Sequence, residues 1–334
     1  MPRNFIIKLS CAALLLTFFV VVLGAYVRLS DAGLGCPDWP GCYGKMIVPF
    51  EVTHAQDLYP DRPLEHGKAW KEMIHRYAAG ILGLLIFTLA FLSWRMRKLP
   101  GQPLVIPSLL VLLLIFQALL GMWTVTLLLK PVIVMGHLLG GMTILSLLFW
   151  LTLELGDDQQ MADQNNRLLY PWAMAGLLVV IIQISLGGWT SANYAALVCP
   201  DFPKCQGVWW PVMDFQQGFV FWRGLGINYE GGILHGEART AIHMAHRVGA
   251  MLTVLVISLV SIRAIRDNNK RIVCIGIVTL LILIIQVGLG VANVLTRLPL
   301  PLAVAHNGVA ALLLLSQVAL LHQSVMPVAK RRMF

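Results

Sequence analysis

The sequence predicts an all-α polytopic membrane protein whose eight transmembrane helices form two pseudo-symmetric four-helix bundles. Three observations predict this fold: the composition, eight long apolar stretches and an internal repeat. Of the 334 residues, 58% are hydrophobic and only 12% are charged, whereas globular domains average about 25% charged residues. The net charge of +9 comes from basic residues scattered between apolar runs, and nucleic-acid-binding proteins cluster such residues. DNA-binding, secreted mini-protein and disordered classes are therefore excluded.

Eight stretches with few or no charges are each long enough to cross about 30 Å of hydrocarbon as a helix. They run over Leu9–Val27, Tyr77–Trp94, Leu104–Leu129, Pro131–Leu153, Leu168–Thr190, Ala241–Ile262, Ile272–Thr296 and Leu298–Leu321. No small-residue cleavage pattern follows the first stretch, so we interpret it as a membrane anchor rather than a removed signal peptide.

The distribution of basic residues predicts how these helices are oriented. Lys and Arg flank both chain ends and fill the short connections after the second and sixth spans: Arg3, Lys8, Arg95, Arg97, Lys98, Arg263, Arg266, Lys270, Arg271, Lys330, Arg331 and Arg332. Because short basic loops stay on the cytoplasmic side, both termini are expected in the cytoplasm, with the protein in a bacterial inner membrane. The Leu155–Arg167 connection is also expected on the cytoplasmic side, only because successive spans alternate in direction. The two long connections, Leu29–Lys71 and Ser191–Arg239, are then outside.

The two halves of the chain, residues 1–160 and 161–334, repeat the same motifs in the same order. A Leu-Gly pair followed by Cys-Pro-Asp-x-Pro-x-Cys occurs at residues 23–42 and again at 186–205, an offset of 163 residues. A His-Arg pair, a Gln-x3-Gly motif and a further histidine follow in both halves, at offsets of 169–171 residues. Each half has four spans, so the copies share one membrane orientation. A pseudo-two-fold axis along the membrane normal is therefore expected.

Four of the nine histidines occupy repeated positions, two per half and near the outer ends of their spans: His75, His137, His246 and His306. Two imidazoles that face each other between bundle helices suit axial ligation of a haem iron. A zinc site usually needs a third or fourth protein ligand, and no Cys, Asp or Glu repeats beside these histidines. A simpler interpretation is that each one only hydrogen-bonds between helices. The matched pairs favour haem, with up to one haem per half.

Four arginines also lie near the outer ends of spans, Arg297 among them. Arg76 and Arg247 directly follow the first histidine of each pair, and Arg28 ends the first span. Guanidinium groups can bind haem propionates through charge-assisted hydrogen bonds. Long basic side chains at a membrane interface also extend their charge toward water without binding any ligand. The sequence favours neither interpretation over the other.

Four cysteines form two Cys-x5-Cys pairs in the outside loops, Cys36 with Cys42 and Cys199 with Cys205. An oxidising exoplasmic space permits disulfides, so structural disulfides are the first interpretation. A redox-active cysteine pair above each haem pocket is an alternative interpretation, because disulfides that close short, exposed rings are readily reduced. Metal binding is a weaker alternative, since the spacing matches no standard zinc knuckle.

One position breaks the repeat beside the histidines. Glu72 lies three residues before His75, on the same helical face, whereas His243 occupies the equivalent position before His246. A carboxylate there can relay protons or stabilise developing positive charge. It can equally be an ordinary interfacial acid at a helix start. The asymmetry suggests that the first half performs chemistry while the second half holds a permanent cofactor.

These residues together resemble the haem A synthase family over nearly the whole chain. The resemblance rests on the ordered set of Glu72-Met-Ile-His75-Arg76, His137, His246-Arg247, His306, the four-plus-four repeat and the outside cysteine pairs. Residues 191–205 resemble the second outer loop of bacterial members with cysteines in both halves, although some members have a pair only in the first half.

The resemblance implies oxidation of a methyl substituent of haem O to the formyl group of haem A, for assembly of haem-copper terminal oxidases. It implies that His75 and His137 ligate the substrate haem, with Glu72 beside the reaction centre, and that His246 and His306 hold a haem b. A methyl C–H bond resists side-chain acid–base chemistry, so an iron centre must supply the oxidising power. Expected partners are a haem O synthase, the oxidase assembly machinery, membrane lipid and a second copy in a homo-oligomer.

Two other functions compete with this one. A non-catalytic di-haem cytochrome b that carries electrons explains the four histidines equally well, but it does not explain why Glu72 occurs in one half only. A transporter would also contain repeats, but its intramembrane charges should lie near the midplane. The third, fourth, fifth and seventh spans have no central charge, which counts against a transporter.

Overall fold

The computed structural model describes residues 3–99, 101–156 and 168–325. Within these residues, eight helices are long and apolar enough to cross a membrane. They are α1 (Arg3–Leu29), α3 (His66–Arg95), α4 (Val105–Thr126), α5 (Pro131–Gly156), α6 (Tyr170–Ala192), α8 (Gly236–Ile265), α9 (Lys270–Leu295) and α10 (Leu300–Val325). The short helices α2 (Val52–Leu58) and α7 (Phe215–Gly218) lie in the two long connections. The predicted all-helical class and the eight spans are confirmed.

Helix starts follow local sequence signals. The side chains of Asp214 and Asn269 accept hydrogen bonds from the first backbone N–H groups of α7 and α9, which are otherwise unpaired at a helix N-terminus. Proline stands in the first turns of α5 and α6, where its missing N–H and fixed φ cost nothing. The main difference from prediction is at α3, which begins at His66 rather than Tyr77 because its polar first turns continue above the apolar stretch.

Each half of the chain folds into a closed bundle of four long helices. Helix α1 packs on α3, α3 on α4, α4 on α5 and α5 on α1; in the second half α6 packs on α8, α8 on α9, α9 on α10 and α10 on α6. One buried apolar cluster lies inside the first bundle, and a second joins α5 to the second bundle. Large apolar side chains on the outward surfaces, such as Leu84 and Ile284, are exposed and suit contact with lipid.

The helix contacts between the two bundles are those expected if a pseudo-two-fold axis relates the bundles. Helix α1 contacts α10, α6 contacts α5, and α5 contacts α10, so the contacts are unchanged when α1 is exchanged with α6 and α5 with α10. At the outer end, Arg28 donates a 2.6 Å hydrogen bond to the carbonyl oxygen of Ser191. These two residues are separated by 163 positions, the offset of the repeat at this point. Residues at equivalent positions of the two halves can contact each other only near the axis that relates the halves.

The second long connection crosses over to the first bundle. The backbone N–H of Tyr229 donates a 3.1 Å hydrogen bond to the carbonyl oxygen of Leu128, in the turn between α4 and α5. The buried ammonium group of Lys130 donates to the carbonyl oxygen of Gly224 and lies 3.2 Å from the ring centroid of Trp222. Both long connections and this turn therefore share one end of the molecule.

Parts of the orientation argument lie outside the described residues. These are the basic residues Lys330, Arg331 and Arg332 and most of the Leu155–Arg167 connection. The cytoplasmic placement of the termini stays a prediction from charge distribution.

Candidate functional site

The first histidine pair comes together between α3 and α5. The ring centroids of His75 and His137 are 6.5 Å apart, and the ring planes are inclined by 77°. Both residues are half-buried, and both Nδ1 atoms are buried without a hydrogen-bond partner among the described residues. The topology thus brings together two residues that are 62 positions apart in the chain, as the repeat analysis predicted.

A glycine on a neighbouring helix lies against each of the four repeated histidines. A Cβ atom added to any of these glycines would lie 3.0–3.2 Å from the histidine Cε1 atom, which is tighter than normal van der Waals contact. The pairs are Gly24 with His75, Gly121 with His137, Gly187 with His246 and Gly290 with His306. The sequence repeat contained these glycines, but it did not reveal that they contact the histidine rings.

Glutamine side chains restrain three of the histidines. The Nε2 atom of Gln117 donates to the carbonyl oxygen of His137 at 2.7 Å, and Gln183 lies 3.0 Å from both Nδ1 and the carbonyl oxygen of His246. Gln286 lies 3.3 Å from Nε2 of His306. Gln183 has no counterpart in the first half, where Val20 stands at the equivalent position, so the repeat could not have identified it.

The second histidine pair lies on α8 and α10. His246 and His306 are both half-buried, and the Nδ1 atom of His306 is buried without a hydrogen-bond partner among the described residues. Both halves therefore repeat the placement of two histidines on different helices, each with a glycine against its ring.

These features fit a metal held between two imidazoles. Metal–imidazole nitrogen distances are about 2 Å, so two ring centroids on opposite sides of one ion are separated by roughly 6 Å. The 6.5 Å separation of His75 and His137 agrees with this value. A buried ring nitrogen without a hydrogen-bond partner is costly, and metal ligation is one way to satisfy it. Two imidazoles suit a centre that takes two protein ligands, such as haem. Among the described residues, no group of three or more His, Cys, Asp or Glu that could hold a metal ion is found.

Glu72 is buried beside the first pair. Glu72 is only 4% exposed. Its Oε2 atom accepts a 2.9 Å hydrogen bond from the backbone N–H of Cys36, and its Oε1 atom accepts a hydrogen bond from Arg76. This environment differs from that of an ordinary interfacial acid, which is hydrated. The carboxylate instead links the first disulfide loop to the helix that contains His75.

Arg76 and Arg247 perform a task that sequence reasoning missed. The guanidinium of Arg76 donates to the carbonyl oxygens of Asp38, Pro40 and Gly41. The guanidinium of Arg247 donates to the equivalent carbonyl oxygens at residues 201, 203 and 204. Each arginine thus fixes a disulfide loop to the helix turn that contains the first histidine of the pair. Propionate binding by either residue stays a prediction.

Arg28 is also engaged by protein groups. Besides its bond to Ser191, its guanidinium lies 4.2 Å from the ring centroid of Tyr194 and 3.8 Å from the carboxylate of Asp31. Its role in binding propionate likewise stays a prediction.

The four predicted cysteines form two disulfides, Cys36–Cys42 and Cys199–Cys205. All four residues are buried, with exposures of 0–1%. Each disulfide closes a hairpin with an isolated antiparallel bridge, Cys42 with Lys45 and Cys205 with Val208. We call residues 36–45 the first hairpin and residues 199–208 the second hairpin.

An aspartate braces each hairpin from inside. Asp38 accepts hydrogen bonds from the backbone N–H groups of Tyr43 and Gly44 at 2.6 and 2.8 Å. Asp201 accepts the equivalent bonds from Gln206 and Gly207 at 2.6 and 2.9 Å. The bond from Gly207, supported by that from Gln206, holds the pKa of the Asp201 carboxyl below its usual value. The same motif therefore gives the same turn twice.

His243, the counterpart of Glu72, makes the opposite kind of contact. Its Nδ1 atom lies 2.9 Å from the carbonyl oxygen of Ala195. A carbonyl oxygen only accepts hydrogen bonds, so Nδ1 carries the proton. At this repeated position one half has a buried acceptor and the other a buried donor.

The fold and these sites define a multi-pass helical membrane protein. It has two repeated pairs of histidines toward the end of the bundles that carries the long connections. The family model for cytochrome oxidase assembly proteins matches residues 8–318 of the chain. The chain therefore belongs to the cytochrome oxidase assembly protein family.

Several similar proteins are named heme A synthase. The protein from Shewanella oneidensis is 48% identical over 311 residues, which cover 92% of this chain and 93% of the relative. The protein from Bacillus licheniformis is 27% identical over 297 residues, covering 86% and 85%. The protein from Shouchella clausii is 28% identical over 284 residues, covering 83% and 82%. The similarity extends over both bundles.

Proposed function

We propose that this protein is a haem A synthase, an oxidoreductase of haem biosynthesis that converts a methyl substituent of haem O to the formyl group of haem A. The observation that carries the proposal is the His75–His137 pair, with ring centroids 6.5 Å apart, one helical turn from the buried carboxylate of Glu72. The names of the relatives that cover both bundles support the same function.

In this proposal the two bundles hold different haems. His75 and His137 ligate the substrate haem O in the half formed by residues 1–160. His246 and His306 ligate a resident haem b in the half formed by residues 161–334. The glycines against all four rings support this assignment, because they allow each imidazole to lie close to a helix backbone in a fixed orientation.

The iron centre, when bound, supplies the oxidising power that side chains lack. Conversion of a methyl to a formyl group replaces two C–H bonds with a C=O bond, a four-electron oxidation: if water supplies the oxygen, four protons and four electrons leave the site, and if dioxygen supplies it, protons are taken up as the dioxygen is reduced. Glu72 is the carboxylate nearest in sequence to His75, and its Oε1 and Oε2 atoms accept hydrogen bonds from Arg76 and the Cys36 N–H. We assign proton acceptance or stabilisation of developing positive charge to this carboxylate.

We further propose that the long connections lie on the outer side of a bacterial inner membrane, with both termini in the cytoplasm. The basic short connections support this orientation. It puts both histidine pairs near the outer face, below the two hairpins. Product haem A then serves the assembly of haem-copper terminal oxidases, and a haem O synthase supplies the substrate.

The test is a haem extraction from protein made with and without a co-expressed haem O synthase. We expect haem b in both preparations, and haem O or haem A only when the synthase is present. Recovery of haem b alone from both preparations would reject the enzyme and favour the di-haem electron carrier. That alternative has no use for a buried carboxylate in one bundle only.

A further inference from the structure

Both hairpins run directly into an uncharged apolar segment whose side chains project away from the protein. After the first hairpin, Met46, Ile47 and Phe50 are 69%, 48% and 80% exposed. After the second hairpin, Trp209 and Trp210 are 66% and 72% exposed. We call residues 46–47 and 209–210 the hairpin tips; they are equivalent positions in the repeat, at the offset of 163 residues. Large apolar side chains exposed twice at the same place need a partner.

A hydrogen bond fixes the depth of the first tip. The hydroxyl group of Tyr77 donates to the carbonyl oxygen of Met46 at 2.6 Å. Tyr77 is the residue at which the apolar part of α3 begins, and its side chain is exposed on the outward face of the bundle. From Tyr77 to Trp94 the helix rises about 26 Å, close to the thickness of the hydrocarbon. The first tip therefore lies at the level where the apolar part of α3 begins.

The second tip lies at the corresponding level. Arg247 donates 2.8 Å hydrogen bonds to the carbonyl oxygens of Asp201 and Lys204 in the second hairpin. Arg247 lies within α8, several residues past Ala241, where the apolar stretch begins. The second hairpin is therefore held at the turn of α8 that contains Arg247, the counterpart of Arg76 in the turn just before Tyr77.

The surroundings of both tips match a lipid surface. On α3 and α8, the helices to which the hairpins are bonded, Ile81 and Met251 also expose apolar side chains. Lys45 and Lys204, which are exposed in the hairpins, can reach lipid phosphates. Tryptophan is enriched at membrane–water interfaces because its ring is apolar and its N–H is polar.

We propose that both hairpin tips insert into the interfacial region of the leaflet on the side of the long connections. The occupant of these surfaces is the bilayer itself. Arg76 and Arg247 bond the hairpins to the helix turns that contain His75 and His246. Lipid contact at the tips therefore also restricts movement of these helix turns.

Tryptophan fluorescence in nanodiscs of phosphatidylcholine tests the second tip. The emission of Trp209 and Trp210 is obtained as the difference between the wild-type protein and the Trp209→Phe/Trp210→Phe variant at equal haem content. We expect this emission to be quenched by phosphatidylcholine brominated near the headgroup, and little by aqueous iodide. The control is Trp189→Phe, because Trp189 is 2% exposed and its emission should respond weakly to both quenchers. Quenching by iodide but not by brominated lipid would overturn the proposal.

A second variant tests the first tip without touching the second hairpin. Met46→Trp, in the Trp209→Phe/Trp210→Phe background, adds one tryptophan at the level of Tyr77. We expect the added emission to be quenched by the brominated lipid. An added emission that only iodide quenches would show that the first tip lies in water, and would reject insertion there.

Discussion

The two hairpins are built alike, but the helix behind each one differs. In both hairpins an arginine donates to three equivalent loop carbonyl groups, and an aspartate accepts hydrogen bonds from two backbone N–H groups. Behind the first hairpin, Glu72 joins Arg76 and the Cys36 N–H. Behind the second, His243 turns to the Ala195 carbonyl. The duplicated hairpins therefore adjoin residues of opposite hydrogen-bonding character at the position where the halves differ.

The largest effect is expected from removing one histidine in each half. His75→Ala should abolish formation of haem A and leave haem b bound, because the second pair is untouched. His246→Ala should lose haem b, since it removes one of the two histidines that we propose would hold it. Extraction of the pigments and reduced-minus-oxidised spectra measure both outcomes. His66→Ala, at the exposed start of α3, is the control and should change neither pigment. Loss of the same pigment in both histidine variants would show that the halves do not differ.

The next largest effect is expected at the position that breaks the repeat. Glu72→Gln retains an oxygen that can accept the Cys36 N–H but removes the negative charge. We expect conversion of haem O to fall roughly 10²–10⁴-fold, the range for loss of general acid–base catalysis, while total haem content stays near that of wild type. Product analysis after supply of haem O measures this change. His243→Gln is the matched control in the other half, and it should leave conversion largely intact. Equal losses in both variants would contradict a special role for Glu72.

Removal of each disulfide compares the hairpins directly. The Cys36→Ser/Cys42→Ser and Cys199→Ser/Cys205→Ser variants should each lose about 2 kcal/mol of stability, because a short ring no longer restricts the unfolded chain. Thermal unfolding in detergent measures this loss. Only the first variant should also reduce conversion, since the Cys36 N–H is a partner of Glu72. Reduced conversion in the second variant alone would reverse the assignment of the two halves.

The sequence was sufficient to predict the spans, the repeat and the two disulfides. Span prediction succeeds because backbone groups in lipid must be satisfied within each helix, which makes long apolar stretches distinctive. The contacts of Arg76 and Arg247 with the hairpin carbonyls could not be predicted, since they depend on how a loop folds back on a helix. Gln183 was missed because the repeat has valine at the equivalent position. Lys130 was missed because its partners lie in a connection from the other half.

A smaller effect is expected where a glycine contacts a histidine ring. Gly24→Ala places a Cβ atom 3.0 Å from His75 Cε1, so the ring must shift; we expect a loss of about 1 kcal/mol and weaker binding of haem O. Gly187→Ala should affect haem b instead. Gly80→Ala in α3 is the matched control, because nothing lies within 4 Å of the added atom. Thermal unfolding and pigment content measure the three variants. If Gly80→Ala lowers pigment content as much, the ring contacts do not explain the loss.

The smallest effect is expected inside the second hairpin and depends on pH. Hydrogen bonds from Gly207 and Gln206 lower the pKa of Asp201 in the folded protein, so the carboxylate stabilises the hairpin above the unfolded-state pKa of about 4. That contribution is lost as the pH falls through the lower folded-state value. Asp201→Asn should therefore speed amide hydrogen exchange at Gln206 and Gly207 at neutral pH, and less so in acid. Equal acceleration at both pH values would show that the charge of Asp201 is not what holds the turn.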